Sequence, residues 1–332
     1  MLTKPALADE AILACLQAQY HLPVESLAFL PLGADLNTAV YRAVAPGGSA
    51  YFVKLRSGPF DETSVALPRH LYAQGAPAII PPLPAQTGKL WAALGDFKLI
   101  LYPYIEGRNG YEIRLSDRHW IEFGAALRRI HSLPIPAEIA SQVQAETYPP
   151  AGRRSVRQAL DRAEQDAGDD PLAQELVACL RTQRALILEL VARAEQCAQA
   201  LQAQPPESIV CHSDLHAGNV LIAADGTFYL VDWDNPILAA KERDLMFAGG
   251  GQFGAARTPQ EEEALFYQGY GAAQINPIAL AYYRCERIVQ DIAIFCEQVF
   301  SVHGSEPDRQ QALRYLASNF IPGGVIEIAL KP

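Results

Sequence analysis

Three side chains in the stretch Val210-Cys-His-Ser-Asp-Leu-His-Ala-Gly-Asn-Val-Leu-Ile-Ala-Ala-Asp-Gly-Thr-Phe-Tyr-Leu-Val-Asp-Trp-Asp234 have the types and spacing to hold a cation and move a proton: Asp214, Asn219 and Asp232. Val220-Leu-Ile222 and Phe228-Tyr-Leu-Val231 are apolar, strand-like runs, and Asp225-Gly226 between them is a strong hairpin signal. With Asp225 and Gly226 as the two turn residues, Asn219 falls opposite Asp232 at the open end. Asp214 precedes them in a polar loop whose Gly218 lets the chain fold back. An amide beside a carboxylate, with a second carboxylate looping over them, makes an oxygen-rich corner. Such a corner suits Mg²⁺, which takes a few carboxylates plus substrate phosphates rather than an all-protein cage. The plainer alternative is a hairpin that merely has polar ends.

The elements that must position this corner are legible on both sides of it. Residues 5–20 carry helical apolar spacing (Leu7, Ile12, Leu13, Leu16) that ends near His21-Leu-Pro23. Strand-like pieces follow at about 26–32, 38–45 and 50–56, the last two joined at Pro46-Gly-Gly48. Between the first two, Gly33-Ala-Asp-Leu-Asn37 is a turn of small and polar residues. In the third piece Tyr51, Val53 and Leu55 share one face, and Phe52, Lys54 and Arg56 the other. Asp61 can cap a helix over 62–74, closed by Gly75 and kinked at Pro68.

Phe97-Lys-Leu-Ile-Leu-Tyr-Pro-Tyr-Ile105 predicts a buried strand running into a connector, Glu106-Gly-Arg-Asn-Gly110. From Ser116 and Asp117 the pattern turns helical, with Trp120, Phe123, Leu127 and Ile130 as its apolar stripe and His131 a structural histidine beside it. One or two long helices are expected over 155–203, and others at 240–247, 259–271, 277–302 and 306–320. On the second-last of these, Tyr283, Glu286 (or Arg287) and Gln290 share a face. That face can line an acceptor cleft, or it can be a solvated face with an Arg287–Asp291 pair.

His212-x-Asp214-x-x-x-x-Asn219 followed by Asp232 resembles the catalytic loop and metal-binding aspartate of the kinase fold. No Arg stands between His212 and Asp214, and Asp232-Trp-Asp234 stands where protein kinases have Asp-Phe-Gly. Both departures resemble the small-molecule branch, the aminoglycoside phosphotransferases and choline kinases. Gly33-Ala-Asp-x-Asn37, Lys241-Glu-Arg-Asp-Leu-Met-Phe247 with Gly249-Gly-Gly251, and Tyr282-Tyr-Arg-x-Glu-Arg-Ile-Val-x-Asp291 extend the likeness over nearly the whole chain. Together they are similar to the spectinomycin 9-phosphotransferase subgroup.

The resemblance implies an α+β, two-lobed protein-kinase-like fold. A small β-rich nucleotide-binding lobe would span residues 1–101, a hinge 102–107, and a larger, mainly helical lobe 108–332. It implies ATP as donor, with GTP left open, and Mg²⁺ held by Asn219 and Asp232. Lys54 would meet the α- and β-phosphates, and Glu62 would hold Lys54. Gly33, Asp35 and Asn37 would lie over the phosphates, and backbone groups around Tyr102 and Tyr104 would meet the adenine edge. Asp214 would orient the acceptor hydroxyl and receive its proton. His212 would anchor the loop, His216 shape it, and Asp244 brace it. Asp234 would face the acceptor or the backbone, with Tyr283 and Glu286 lining the acceptor site.

The implied acceptor is a cationic polyol, an aminocyclitol or aminoglycoside antibiotic with spectinomycin foremost. A metabolic kinase for a sugar or an amino alcohol such as choline or homoserine is the alternative. A non-catalytic nucleotide-binding protein would show degenerate Lys, Asp or Asn positions, and none is degenerate here.

Composition narrows the classes further. The 332 residues suffice for one large domain or two smaller ones. A formal charge of −10 argues against a nucleic-acid partner, which wants a basic face. Cys15, Cys179, Cys197, Cys211, Cys285 and Cys296 are scattered without metal spacing, so reduced thiols and a cytoplasmic setting are expected. No run approaches the length of a membrane span, and no leader pattern opens the chain. A monomer or weak dimer is expected. Gly249-Gly-Gly251-Gln-Phe-Gly254 satisfies G-x-G-x-x-G in form, but helical sequence precedes it where a dinucleotide fingerprint needs a strand.

Overall fold

Helical and strand-forming stretches fall close to where periodicity predicts them. The computed structural model describes residues 3–331 except 34, 36, 77, 166, 167, 255, 302 and 303. In chain order the elements are α1 (Asp9–Tyr20), β1 (Ser26–Leu30), β2 (Thr38–Val44), β3 (Ala50–Ser57), α2 (Thr63–Ala73), β4 (Ala92–Leu94), β5 (Phe97–Pro103), β6 (Gly107–Asn109), α3 (Asp117–Ser132), α4 (Ala137–Ala140), β7 (Gln144–Ala145), α5 (Ala151–Arg162), α6 (Pro171–Ala203), β8 (Ile209–Cys211), β9 (Val220–Ala223), β10 (Phe228–Leu230), β11 (Ile237–Ala239), α7 (Glu242–Leu245), α8 (Pro259–Tyr270), α9 (Pro277–Phe300), α10 (Glu306–Ser318) and α11 (Val325–Leu330). The class is α+β, as expected. The chain divides into two compact units: Met1–Leu115 with Ala126–Val143 and Gly218–Pro236, and Ser116–Ala125 with Gln144–Ala217 and Ile237–Pro332. This division follows contacts rather than a linear boundary, because β9 pairs with β6 and so carries the hairpin into the first unit.

In the first unit an antiparallel sheet has the order β1-β2-β3-β5-β4. The alternation along β3 sorts its two faces. Val53 and Leu55 join Tyr41, Leu99 and Leu101 in a core closed by Ile12 and Leu16 of α1, each such burial contributing roughly 1.5–3 kcal/mol. Lys54 points the other way, paired in register with Val40 on one side and Ile100 on the other. It therefore stands in the middle strand of the sheet, not at an edge.

The β9–β10 hairpin differs from expectation by one residue. Its pairs are Ile222 with Phe228, Leu221 with Tyr229 and Val220 with Leu230. Asn219 consequently faces Val231, whose N–H donates to the Asn219 carbonyl at 3.0 Å, and not Asp232. The cause lies in the turn. Asp225 Oδ1 accepts the Thr227 N–H at 2.9 Å, the Ala223 N–H donates to the Thr227 carbonyl at 2.9 Å, and Gly226 takes φ 84°. The loop thus has three residues with Gly in the left-handed position, the next commonest hairpin connection after the two-residue one.

In the second unit β11 runs antiparallel to β8 and parallel to β7. Its main core joins α5, α6, α9, α10 and α11 through residues such as Leu160, Leu180, Ile187, Ile288 and Ile292. The helices start on chemical signals: Asp170 accepts the N–H groups of Leu172 and Ala173 ahead of Pro171, and Asn276 does the same for Ile278 and Ala279 ahead of Pro277. Trp120 and Phe123 of the α3 stripe pack on Phe253, and Phe123 also on Phe266 of α8. The expected helix at 240–247 is only the short α7, since a turn-rich stretch with Gly249 and Gly251 at positive φ follows it. All six cysteines are free, and no helix among the described residues is long and apolar enough to cross a membrane.

Candidate active site

Within the first unit, the chemistry gathers around Lys54. Its Nζ lies 2.7 Å from Asp232 Oδ1 and 2.6 Å from Asp234 Oδ1. Burial alone would push the ammonium towards neutrality, but the two carboxylates outweigh it and hold its pKa above the usual lysine value. Asp234 also binds Arg56, the next residue on the same face of β3. The carboxylate partners of Lys54 are therefore Asp232 and Asp234. Glu62, expected in that role, is exposed at the start of α2. The reason is local: Asp61 takes the Thr63 N–H and starts the helix there.

The segment expected over the phosphates is tied down from its two ends. Asp35 accepts from the Asn37 N–H at 2.8 Å and from the Thr38 hydroxyl at 2.7 Å, while the Asn37 carbonyl accepts from Ser57. Gly33 has φ 85°, a conformation suited to glycine. Ala34 and Leu36 of this segment lie outside the described residues. Tyr102 is pushed up in pKa by burial, with Lys54 opposing, and its ring meets Phe52 edge-on. The Tyr104 N–H bonds the Ala50 carbonyl at 3.2 Å, and Arg42 lies over the Tyr104 ring.

Asn219 is buried immediately before β9, at the end of a 3-10 turn. The Asp232 side chain is 46% exposed, on a backbone turned into the left-handed region at φ 66°. A non-glycine residue there is strained, a feature that concentrates at functional sites. Hard oxygens from one amide and one half-exposed carboxylate fit Mg²⁺, which completes its shell with water and phosphate.

Within the second unit, Asp214 sits in a loop that Asp244 braces. The two Asp244 oxygens accept the N–H groups of His212, at 2.9 Å, and Ser213, at 2.7 Å. Ser213 is itself left-handed, at φ 74°. His212 is buried, and its Nδ1 lies 3.3 Å from the Asp214 backbone nitrogen within the same loop. Asp214 Oδ1 lies 2.8 Å from Arg287 Nη1, and Oδ2 lies 3.7 Å from His216 Nε2. Burial raises the Asp214 pKa, but Arg287 first, then His216, His212 and Arg243, bring it below the usual aspartate value.

Helix α9 departs from expectation. Tyr283 and Glu286 are almost fully buried. Glu286 is ion-paired with Arg153 of α5, and Tyr283 packs edge-on to Tyr282 with Arg243 over its ring. They are interior residues of this unit rather than a solvent-facing acceptor lining. A shared helical face does not say whether another helix covers it, and α5 covers this one. Arg287 is the member of the set that reaches Asp214. Its spacing from Asp291 was legible, but its reach to a loop seventy-odd residues away has no local signature. Arg56 was legible only as the face-mate of Lys54.

The sequence profile of the phosphotransferase enzyme family matches residues 29–285. The chain belongs to that family. It is an enzyme, a phosphotransferase. A crystal structure of spectinomycin phosphotransferase APH(9)-Ia with ADP and spectinomycin is 36% identical, with 98% of each chain covered and a TM-score of 0.90. An AMP-bound structure of APH(9)-Ia gives 34%, the same coverage and 0.86. Choline kinase LicA from Streptococcus pneumoniae is 16% identical, covering 93% of this chain and 99% of its own, at a TM-score of 0.56, and shares the fold alone. Among curated proteins none matches the chain.

Proposed function

We propose that this phosphotransferase moves the γ-phosphate of ATP to a hydroxyl of spectinomycin or a closely related cationic aminocyclitol. The observation that carries the reading is the 36% identity over 98% of the chain to a spectinomycin phosphotransferase. The groups the transfer needs support it: a charged, buried Lys54, carboxylates beside it, and an ionised Asp214.

In this reading Lys54, oriented by the carboxylates beside it, would meet the α- and β-phosphates. Asn219 and Asp232 would hold Mg²⁺, whose charge would offset that gathering on the phosphate oxygens. Asp214 hydrogen-bonds the acceptor hydroxyl and takes its proton as the new O–P bond forms and the bond to the ADP oxygen breaks. Phosphoryl transfer needs little covalent help, so positioning and charge carry the rate.

The test is ATP consumption by purified protein, with Mg²⁺ and spectinomycin, a panel of aminoglycosides, or choline as acceptor. Turnover confined to spectinomycin is the expected result. Turnover confined to choline or another acceptor would overturn the substrate while keeping the reaction class.

A further inference from the structure

Arg287 does more than close a helical ion pair. Its Nη1 lies 2.8 Å from Asp214 Oδ1 while its Nε lies 3.3 Å from Asp291 Oδ1, one turn along α9. A single planar guanidinium therefore spans two carboxylates, one on the loop and one on its own helix. The fork geometry allows this, whereas the point charge of a lysine would serve one partner at a time.

We infer that Arg287 is a positioning residue for Asp214, clamping Oδ1 so that Oδ2 is the oxygen turned to the acceptor hydroxyl, with Asp291 steering the clamp. The inference rests on the reading of Asp214 as the proton acceptor. A carboxylate rotates freely about its terminal bond, and a base that must meet a hydroxyl gains from having one oxygen fixed. Other groups face the same loop. On the loop, His216 Nε2 stands 3.7 Å from Oδ2, and His212 Nδ1 faces the Asp214 backbone N–H. At α7, Asp244 is spent on the His212 and Ser213 backbone, and Arg243 lies over the Tyr283 ring. On α9 stand Arg287, paired with Asp214 Oδ1, and Asp291.

The electrostatics agree with the geometry. Arg287 is the foremost of the charges that lower the Asp214 pKa against burial. Asp291 is raised by burial and held down by Arg287, and Asp214 raises it in turn. The three groups form one coupled set, a single cation between two carboxylates. Loss of Arg287 removes the one guanidinium that pairs with both carboxylates.

The experiment titrates Asp214 directly, by NMR of protein carrying ¹³C in its aspartate carboxyls, with Asp214→Asn identifying the resonance. Arg287→Gln is expected to raise the Asp214 midpoint by a pH unit or more, Arg287→Lys to restore part of the shift, and Asp291→Asn to leave it unraised. This readout needs no acceptor and so decides the point for any substrate. With an acceptor that turns over, Arg287→Gln is expected to lower kcat on the order of tenfold to hundredfold, with little change in KM for ATP. An unmoved midpoint in Arg287→Gln would overturn the inference, as would a fall in thermal stability that accounts for the lost kcat while Arg287→Lys restores neither. Full turnover in Asp214→Asn would instead overturn the role of Asp214 itself, on which the inference stands.

Discussion

Lys54 keeps its charge in the middle of a sheet because Asp232 and Asp234 face it, and Asp214 keeps its own because Arg287 does. Buried titratable groups in this protein are decided by their partners, and Glu262 illustrates the opposite outcome. It is 2% exposed on α8, and burial pushes its carboxyl up to about 7, although the Gly249 N–H, Arg257 and Arg284 pull the other way. The unfolded chain releases this proton near the ordinary value of 4.5, while the folded chain holds it to about 7. Between those limits the unfolded state binds fewer protons, so stability falls as pH rises, by an amount on the order of 3 kcal/mol that is complete above the folded value. Glu262→Gln, whose amide oxygen can still accept from Gly249, is therefore expected to raise the melting temperature at about pH 8 and to lose that advantage at about pH 4.5. Melts at the two pH values check it, and an equal difference at both would contradict the cause.

At the scale of elements, two helices approach closely enough to require glycine. A Cβ on Gly269 of α8 would stand 1.8 Å from the Ile121 carbonyl oxygen of α3, and one on Gly124 of α3 would stand 2.0 Å from the Phe266 carbonyl oxygen. In an exposed helix Gly→Ala gains about 1 kcal/mol. Here overpacking reverses the sign: Gly269→Ala is expected to destabilise by roughly 1–3 kcal/mol, measured by denaturant unfolding. A variant as stable as the parent would contradict the close approach.

Such contacts mark the limit of what periodicity reveals. The alternation of Tyr51 to Arg56 and the α3 stripe were legible because each element repeats with its own geometric period. The hairpin register was not, because an Asp225–Thr227 bond inside the turn moved it by one residue. Nor was the partner of Lys54. Glu62 lies near it in sequence, whereas Asp234 arrives with a hairpin from far along the chain. Tyr283 and Glu286 were legible as one face of a helix, but not as the face that α5 covers.

For the whole molecule, the candidate groups are shared between the two compact units. Lys54, Asn219, Asp232 and Asp234 belong to one, and Asp214, Arg287 and Asp291 to the other. In the proposed reading, nucleotide binding and activation of the acceptor hydroxyl would be separable properties, each tied to its own residues. The family shows a phosphotransferase, and the proposed chemistry assigns the proton to Asp214 alone.

The most direct test compares the parent protein with Asp214→Asn in two assays, phosphoryl transfer to spectinomycin and equilibrium binding of Mg·ATP. Positioned acid–base groups typically contribute about 10²- to 10⁴-fold. A loss of transfer on that order, with nucleotide affinity unchanged, is the predicted result. Parental turnover in Asp214→Asn, or a loss of nucleotide binding that matches the loss of transfer, would contradict the assignment.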